Sequence, residues 1–485
     1  MRPGLFDGGR AAAAAPMLGT PRILYGIPYI WTRTARALHG LSLGGALLAA
    51  WSCATAPRAN PRDPVALAEE GQRDLAADKV PEALAAFDAA LAADSRSLAA
   101  LRGRIEAERR LGRLSQTTAE AEGNSARSPD DGYGWYALGL CRFAAGDEKG
   151  SVAALERAAA LLPDEPDAQY RLGVALFNSE RFAEARGPLE RAVQGNPRSA
   201  RYRVPLASCL DRLGLRREAV AQLAPIPDLG PTPEEARLAM QTSRVLTEPF
   251  RGIPQEARAQ LELALGYLLR DAPGLAVAPL EELLQKLPDL GAAHALLGLA
   301  AQRLDEGGRA VTELHRAAEL SPDAPQPHVY LAEFYAGHGR ADEAQKEYEA
   351  ALLRDPLDVT TLRKLGLLAL DRPGGAAAAI PPLRRAVALV PEDDATQLLL
   401  ARAELTLPDQ APAGRARLER LAEKRPEDPE VLLRLALVLA DARAQETGPA
   451  REATTRRALE LTHKVLSLQP DNSAASRLLT TLQTG

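Results

Sequence analysis

Apolar residues recur along most of the chain at spacings of three and four residues, most clearly from Pro325 to Asp358. The apolar and small positions of this 34-residue segment form two groups, Leu331, Ala332 and Tyr335 followed by Ala344, Tyr348 and Ala351. Such spacing predicts two amphipathic helices. Glycines separate the halves, and Pro356 ends the second, because the residue before a proline leaves the α region. The segment is therefore predicted to be a helix, a tight turn and a second helix.

The same pattern returns when the register is shifted by 34 residues. One step back, the matching positions are Gly298, Ala310, Leu314, Ala317 and Pro322. Two steps back, they are Ala264, Ala276, Leu280, Leu283 and Pro288. A helix pair this short cannot bury its own apolar faces, so neighbouring copies must stack against one another. The alternative, a globular helical bundle with accidental periodicity, is disfavoured by the number of copies in phase.

The repeat resembles the tetratricopeptide repeat family, whose unit favours Trp, Leu, Gly and Tyr in its first helix and Ala, an aromatic residue, Ala and Pro in its second. The unit that begins at Gly132 carries this pattern at Trp135, Leu138, Gly139, Leu155, Ala158 and Pro163. In-phase matches extend over roughly 400 residues. The resemblance implies an all-α fold, a right-handed α-solenoid of stacked helix-turn-helix repeats.

The register and its interruptions predict six parts of the chain. They are a signal or leader region (1–52), a flexible tether (53–63), a first block of about five repeats (64–233), a linker helix (234–256), a second block of about six repeats (257–472) and a capping helix (473–485). At the linker, Thr232 can cap a helix that Pro233 begins, and Glu235 completes a capping box. A degenerate repeat with a shortened second helix is the alternative there.

Some repeats depart from the pattern. Thr117 and Asn124 replace the usual alanines of the second repeat, and Pro205 lies inside the expected first helix of the fifth, which we expect to be shortened or kinked. About ten extra residues, in the segment 440–455, are expected to lengthen the turn between the helices of the last repeat.

The leader ends in a pattern typical of secretion. Arg33 and Arg36 precede a largely apolar stretch of 15 residues, which ends before Ser52 and Cys53. It resembles a bacterial lipoprotein signal, which implies that Cys53 is lipidated and becomes the mature N-terminus. Ala50 and Trp51 depart from that pattern, so a plain signal and an uncleaved anchor remain alternatives, and translation can start at Met1 or Met17. Ala54 is not acidic, which favours an outer-membrane lipoprotein that faces the periplasm.

The charge of the chain disfavours one class of partner, and the spacing of its cysteines disfavours a disulfide. The net charge is −5, and removal of residues 1–52, with five basic residues and one acidic residue, would make it −9. Without a basic stripe, nucleic acid is not expected as a partner. Cys141 and Cys209 occupy the same position two repeats apart, too far for a disulfide, so we expect two free, packed thiols.

The sequence offers no chemistry that points to an enzyme. The motifs GxxxxGK[ST], HExxH and CxxC do not occur, and no catalytic residue, cofactor or small-molecule substrate is predicted. His294 and His328 share one position in adjacent repeats, but the register places no Cys, Asp or Glu ligand beside them. We therefore expect two partly buried imidazoles and no metal site.

The remaining expectation is binding. On the family pattern, positions 2, 5, 9 and 12 of each first helix face a concave groove, and the third and fourth repeats place aromatic and apolar residues there. The predicted partner-binding residues are Tyr133, Tyr136, Leu140, Phe143, Tyr170, Val174 and Phe177. The alternative is that these rings fill space between adjacent first helices. Leu140 and Val174 stand where some family members use Asn to hold a terminal carboxylate.

The sequence thus predicts a non-catalytic scaffold or adaptor for protein or peptide partners, held at the membrane by an N-terminal lipid. It would serve an envelope complex, such as pilus, secretion, outer-membrane or cell-wall machinery. A cytosolic adaptor with an unprocessed N-terminal extension, and an enzyme with dispersed active residues, are the alternatives.

Overall fold

The computed structural model describes residues 63–484 as an all-α structure. These residues form 24 α-helices and two short 3-10 turns, and no strand occurs among them. The predicted fold class, an all-α solenoid of helical repeats, is confirmed. The predicted leader, Cys53 and nearly all of the predicted tether lie outside the described residues.

The chain contains two compact units, and the first ends at Gly195. Its described part consists of four antiparallel helix pairs. The helices are α1 (Pro64–Ala76), α2 (Val80–Ala93), α3 (Leu98–Arg110), α4 (Leu114–Arg127), α5 (Gly132–Ala145), α6 (Glu148–Leu161), α7 (Pro166–Asn178) and α8 (Phe182–Gly195).

The second unit begins at Asn196 and contains a fifth pair, an unpaired helix, six further pairs and a last helix. The first eight helices are α9 (Ala200–Arg212), α10 (Arg216–Leu223), α11 (Pro233–Leu246), α12 (Gln255–Leu269), α13 (Pro273–Lys286), α14 (Gly291–Arg303), α15 (Gly307–Leu320) and α16 (Gln326–Gly337). The others are α17 (Ala341–Arg354), α18 (Val359–Leu370), α19 (Ala376–Leu389), α20 (Asp394–Leu405), α21 (Ala411–Lys424), α22 (Pro429–Ala442), α23 (Gly448–Leu468) and α24 (Ser473–Thr484).

In most repeats, a small residue on the first helix faces a large residue on the second. A Cβ added to Gly139 or Gly173 would lie 2.5 Å from the Cγ of Leu155 or Leu189. In the second unit, Gly366 meets Leu383 in the same way. Real Cβ atoms do not approach so closely, so the small residue lets the two helices pack in direct contact.

The second repeat reverses this arrangement. The register places Ile105 at the position of the small residue and Ala121 at the position of the large one, and both are buried. Both residues line an open cavity of about 310 Å³ between α3, α4 and α5, so the exchange does not restore the close contact of the other repeats. The repeat that looks weakest in sequence still forms two helices, but they pack less closely than those of the other repeats.

The turn inside each repeat of the first unit contains a residue with positive φ. These residues recur every 34 positions, at Asp78, Gly112, Gly146 and Glu180. The left-handed conformation ends the first helix and reverses the chain. Glycine and aspartate adopt it at low cost, whereas it is less usual for glutamate.

The division into units differs from the predicted one, which placed the break at residues 234–256. The fifth repeat and α11 belong to the second unit because they pack against its later repeats. Helix α11 contacts α19 as well as α9 and α10. The guanidinium of Arg385 donates to the carbonyl of Ala224 at 2.7 Å. Such contacts join residues far apart in sequence, so the repeat register does not reveal them.

The Asp355 carboxylate fastens the C-terminal end of α11. It accepts hydrogen bonds from the hydroxyls of Ser243, at 2.6 Å, and Thr247, at 3.1 Å. The side chain of Gln326 donates to the carbonyl of Thr247 at 3.0 Å. Burial raises the pKa of Asp355, and the two hydroxyl hydrogen bonds oppose that rise. Helix α11 is thus fixed by polar contacts with the turn that precedes α18 and with the first residue of α16.

Local predictions have mixed outcomes. The capping box of Thr232 and Glu235 is present at the start of α11. Helix α9 keeps 13 residues although Pro205 lies inside it, because residues buried on several of its sides hold it in place. Cys141 and Cys209 are buried, and neither forms a disulfide within the described residues.

The extra residues of the last repeat were predicted to form a long turn. This prediction is wrong, because they lengthen α23 to 21 residues instead. In the part of the chain that the structure describes, no helix is long and apolar enough to cross a bilayer.

Replacing Leu189 with Ala should destabilise the protein strongly, because its side chain is completely buried against Gly173. We expect a loss of about 2–5 kcal/mol, measured as a shift of the urea midpoint by circular dichroism. Leu353→Ala is the matched control, since Leu353 is 78 % exposed and should change stability by less than about 0.5 kcal/mol. Equal effects of the two variants would contradict the proposed packing.

Candidate functional site

The predicted aromatic set lies on α5 and α7, largely inside the protein. Tyr136 and Tyr170 are completely buried, and Leu140, Val174 and Phe177 are buried as well. Tyr133 and Phe143 are half-buried. Burial of both tyrosine rings favours the packing interpretation for these two residues. A binding role for the set as a whole stays a prediction.

A buried polar cluster connects three repeats of the first unit. The Tyr136 hydroxyl donates a short hydrogen bond to Asp167, and the Arg102 guanidinium lies 3.3 Å from the same carboxylate. Burial raises the pKa of Tyr136 above its usual range, and the charge of Asp167 adds to the rise. The hydroxyl therefore stays protonated and donates to Asp167. All three residues occupy first-helix positions 2 or 5, so the register could have found this cluster.

The two histidines do have carboxylate neighbours, contrary to the expectation from sequence. His294 Nδ1 lies 2.6 Å from a carboxylate oxygen of Glu313, and His328 Nδ1 lies 2.7 Å from one of Glu347. Each glutamate lies 19 residues later, on the second helix of the same repeat, which packs antiparallel to the first. Among the described residues no group of three or more His, Cys, Asp or Glu side chains could hold a metal ion.

An open groove lies in the second unit along three consecutive first helices, α18, α20 and α22. We call it the α18–α22 groove, and its cavity has a volume of about 340 Å³. Leucines form its apolar part, and basic side chains surround them. The lining residues are Arg363, Lys364, Leu367, Ala395, Leu398, Leu399, Arg402, Glu430 and Arg434.

Three aspartates fix the starts of these helices in one register. Asp358 accepts from the backbone N–H of Thr360 at 3.1 Å, and Asp393 from that of Ala395 at 3.2 Å. Asp428 caps α22 in the same way. A side-chain acceptor at this position satisfies a backbone donor that the helix leaves unpaired. Each aspartate directly precedes the first residue of its helix, so the three helices start at the same position of their repeats. Residues on the same side of the three helices therefore line one groove.

The basic side chains of the groove keep unused hydrogen-bond donors. Arg363 contacts Asp393 at 3.3 Å through one nitrogen, and Asp393 already caps α20. Arg402 lies 4.0 Å from Asp371, and no hydrogen bond of its guanidinium occurs among the described residues. A guanidinium has five N–H donors, so each arginine can donate hydrogen bonds to another carboxylate. The groove therefore offers both apolar contact and directed positive charge.

The equivalent face near the start of the second block is covered by the chain itself. Phe250, which follows α11, is only 5 % exposed and belongs to a hydrophobic cluster with Leu296 and Leu297 of α14. Pro249 and Phe250 lie beside Ala292 and Ala295, which occupy positions 2 and 5 of their repeat. The linker thus occupies one part of the repeat surface, and the α18–α22 groove lies farther along.

The position rule used on the third and fourth repeats also finds the α18–α22 groove. It selects Arg363 and Leu367 in one repeat, and Ala395, Leu398 and Arg402 in the next. A search of these positions for aromatic side chains does not select these residues. The signal that could have found them is the pairing of leucine with arginine at positions 5 and 9.

Comparison with known families agrees with this repeat geometry. Tetratricopeptide repeat models match residues 142–203, 303–365 and 69–116. The chain thus contains tetratricopeptide repeats. No curated protein gives a significant sequence match to it.

Several solved structures resemble this chain at low identity. YrrB, described as a TPR protein with an unusual peptide-binding site, is 18 % identical, with 41 % of this chain and 96 % of YrrB covered and a TM-score of 0.36. pilF of Pseudomonas aeruginosa is 22 % identical, with 46 % of this chain and 97 % of pilF covered and a TM-score of 0.37. The matched chain of the Cut9–Hcn1 hetero-tetramer of APC/C is 15 % identical, with 86 % of this chain and 96 % of that chain covered and a TM-score of 0.34. Similarity this low carries no argument about partners.

Replacing Tyr136 with Phe should destabilise the protein, because the buried Asp167 carboxylate would lose a hydrogen-bond donor. We expect a loss of about 1–3 kcal/mol in the free energy of unfolding, measured by urea titration. Tyr133→Phe, on the same helix, is the matched control, because no hydrogen bond of the Tyr133 hydroxyl occurs among the described residues. If both variants had the same stability as the parent, Tyr136 would not support Asp167.

Proposed function

We propose that this protein is a non-catalytic scaffold that binds segments of other proteins, and that the α18–α22 groove is one of its binding surfaces. The observation that carries the proposal is the groove itself. Three capped first helices line it, and two of them, α18 and α20, present leucines beside Arg363 and Arg402, which keep unused donors. Stacked repeats form extended binding surfaces of this kind.

The size of the groove suits a short stretch of polypeptide. Packed helices lie about 10 Å apart, so three adjacent first helices span about 20 Å. An extended segment rises about 3.3 Å per residue, and about six residues would cross the groove. Its volume of about 340 Å³ leaves room for several side chains. Leu367, which is 39 % exposed, would be covered by such a segment.

The chemistry of the groove supports binding more than catalysis. Its lining consists of leucine, alanine, arginine, lysine and one glutamate. A hydrolytic or group-transfer site would need a nucleophile beside a base, or a bound metal. The groove residues supply neither arrangement, whereas apolar and basic side chains are common in interfaces. We therefore propose a binding role for this surface and no reaction.

A photo-crosslinking amino acid placed at Leu398 should form covalent adducts with partner proteins in the native cell, because Leu398 lines the groove. The adducts are measured by immunoblotting and mass spectrometry of the purified chain. The matched control is the same amino acid at Leu353, which is 78 % exposed on α17. Adducts at Leu353 alone, or at neither position, would overturn the assignment of the groove.

We further propose that the scaffold is a lipoprotein of the bacterial cell envelope, anchored through Cys53 to the outer membrane and facing the periplasm. Support comes from the basic flank, the short apolar stretch and Ser52 before Cys53. The scaffold would then serve an envelope assembly, such as pilus, secretion, outer-membrane or cell-wall machinery. A cytosolic adaptor with an intact N-terminal extension is the second candidate, because Ala50 and Trp51 depart from the usual signal.

Mass spectrometry of the N-terminal peptide should find a chain that begins at lipidated Cys53. The mature protein should fractionate with the outer membrane, and Cys53→Ala should remain unlipidated with its helical circular dichroism unchanged. An unmodified Cys53 inside an intact chain would instead favour the cytosolic adaptor.

A further inference from the structure

We propose that the α18–α22 groove selects an acidic protein segment, one in which carboxylates lie beside apolar side chains. This inference rests on the proposed scaffold function and names the chemical class of its partner. Its basis is the combination of partly satisfied arginines and accessible leucines on two adjacent first helices, α18 and α20.

The groove is positively charged on a chain that is negatively charged. Its lining contains four basic residues, Arg363, Lys364, Arg402 and Arg434, and one acidic residue, Glu430. The whole chain has a net charge of −5. A local excess of positive charge in a concave surface attracts anionic partners and repels cationic ones. The groove therefore discriminates by charge although the protein as a whole is acidic.

The carboxylates around the groove satisfy these basic groups only in part. Asp371 lies 4.0 Å from Arg402 and is itself 64 % exposed. Asp393 shares its oxygens between Arg363 and the N-terminus of α20. Exposed ion pairs contribute only about 0–1 kcal/mol, so an incoming carboxylate can replace or join them at little cost. An arginine with free donors can then form the bidentate pair that carboxylates prefer.

The remaining pairs do not remove this capacity. Arg434 pairs with Glu430 four residues earlier on the same helix, at 2.9 Å. Such surface pairs contribute about 0.3–0.5 kcal/mol. Lys364 is engaged by Glu333, with both side chains about one-third exposed, and we assign it no ligand. Arg363 and Arg402, on adjacent first helices, are therefore the principal contacts for carboxylates.

Leucines between the arginines require apolar side chains in the partner. Leu367 lies one turn after Arg363, and Leu398 one turn before Arg402. Leu367 is exposed, and Leu398 and Leu399 are half-buried. Covering them removes apolar surface from water, which is favourable by about 25 cal/mol per Å². A purely acidic segment would leave these leucines exposed, and a purely apolar one would leave the arginines unpaired.

Nucleic acid is also anionic, but it fits the groove less well. Single strands are usually held by aromatic side chains that stack on bases. The lining of the groove contains no aromatic residue. A short oligonucleotide therefore serves as a competing probe in the test.

The test measures fluorescence anisotropy of labelled peptides of about ten residues, enough to cross the groove, with the full chain. One peptide alternates Asp with Leu, a second has Asn for every Asp, and a third has Lys. We expect the Asp peptide to bind at least about tenfold more tightly than the Asn peptide, and the Lys peptide more weakly still. Raising the ionic strength from about 0.1 M to about 0.5 M should weaken only the Asp peptide.

Variants of the chain locate the effect. Arg402→Gln should weaken binding of the Asp peptide about tenfold and leave the Asn peptide unchanged. Arg415→Gln is the matched control, because Arg415 pairs with Glu419 on the surface of α21 and does not line the groove. Both variants should have the circular dichroism and melting temperature of the parent.

Each other outcome overturns the inference. Equal binding of the Asp and Asn peptides, absence of binding by both, or an Arg402→Gln variant as active as the parent would remove the acidic segment as the partner. A single-stranded oligonucleotide that binds as tightly as the Asp peptide would show attraction to any polyanion. If crosslinks at Leu398 still form, the groove remains a binding surface and only the acidic class of its partner is wrong. If no crosslinks form at Leu398, the proposed binding function of the groove is wrong as well.

Discussion

The close contact between a small residue on the first helix and a large one on the second is the interaction on which this fold depends. Gly139 against Leu155 and Gly173 against Leu189 leave no space for a Cβ. Helices this near share an apolar face that neither could bury alone, and stacking extends that face from repeat to repeat. The second repeat has Ile105 and Ala121 at these positions instead, and there α3 and α4 pack less closely and leave a cavity of about 310 Å³.

Because that contact fixes the register within each unit, equivalent positions of successive first helices form one face in each unit, and the surroundings of that face differ from repeat to repeat. In the first unit the face includes the buried contact of Tyr136 with Asp167. Near the start of the second block it is covered by Phe250 of the linker. Along α18, α20 and α22 it is open, and leucine and arginine line it. The repeat therefore builds one scaffold, and each segment of the chain decides how its surface is used.

Periodicity is the reason that the fold could be predicted from sequence, and contacts outside the period are the reason that the rest could not. The spacing of 34 residues predicts the helix pairs, and Thr232 with Glu235 predicts the start of α11. The unit boundary instead depends on contacts such as Ser243 with Asp355, 112 residues apart. The partnership of His294 with Glu313 depends on antiparallel packing within a repeat. Aromatic content favoured a set whose two central tyrosines are buried, and the open groove carries leucine and arginine instead.

Stability and recognition are assigned to different side chains in the second unit. The caps Asp358, Asp393 and Asp428 and the contact of Gly366 with Leu383 hold the helices without using the groove face. Arg402, by contrast, has only a distant ionic contact in the described structure. A side chain that stabilises its own fold so little can donate its hydrogen bonds to a partner instead. Substitution of such groove residues can therefore change the partner while the small-to-large contacts keep the scaffold intact.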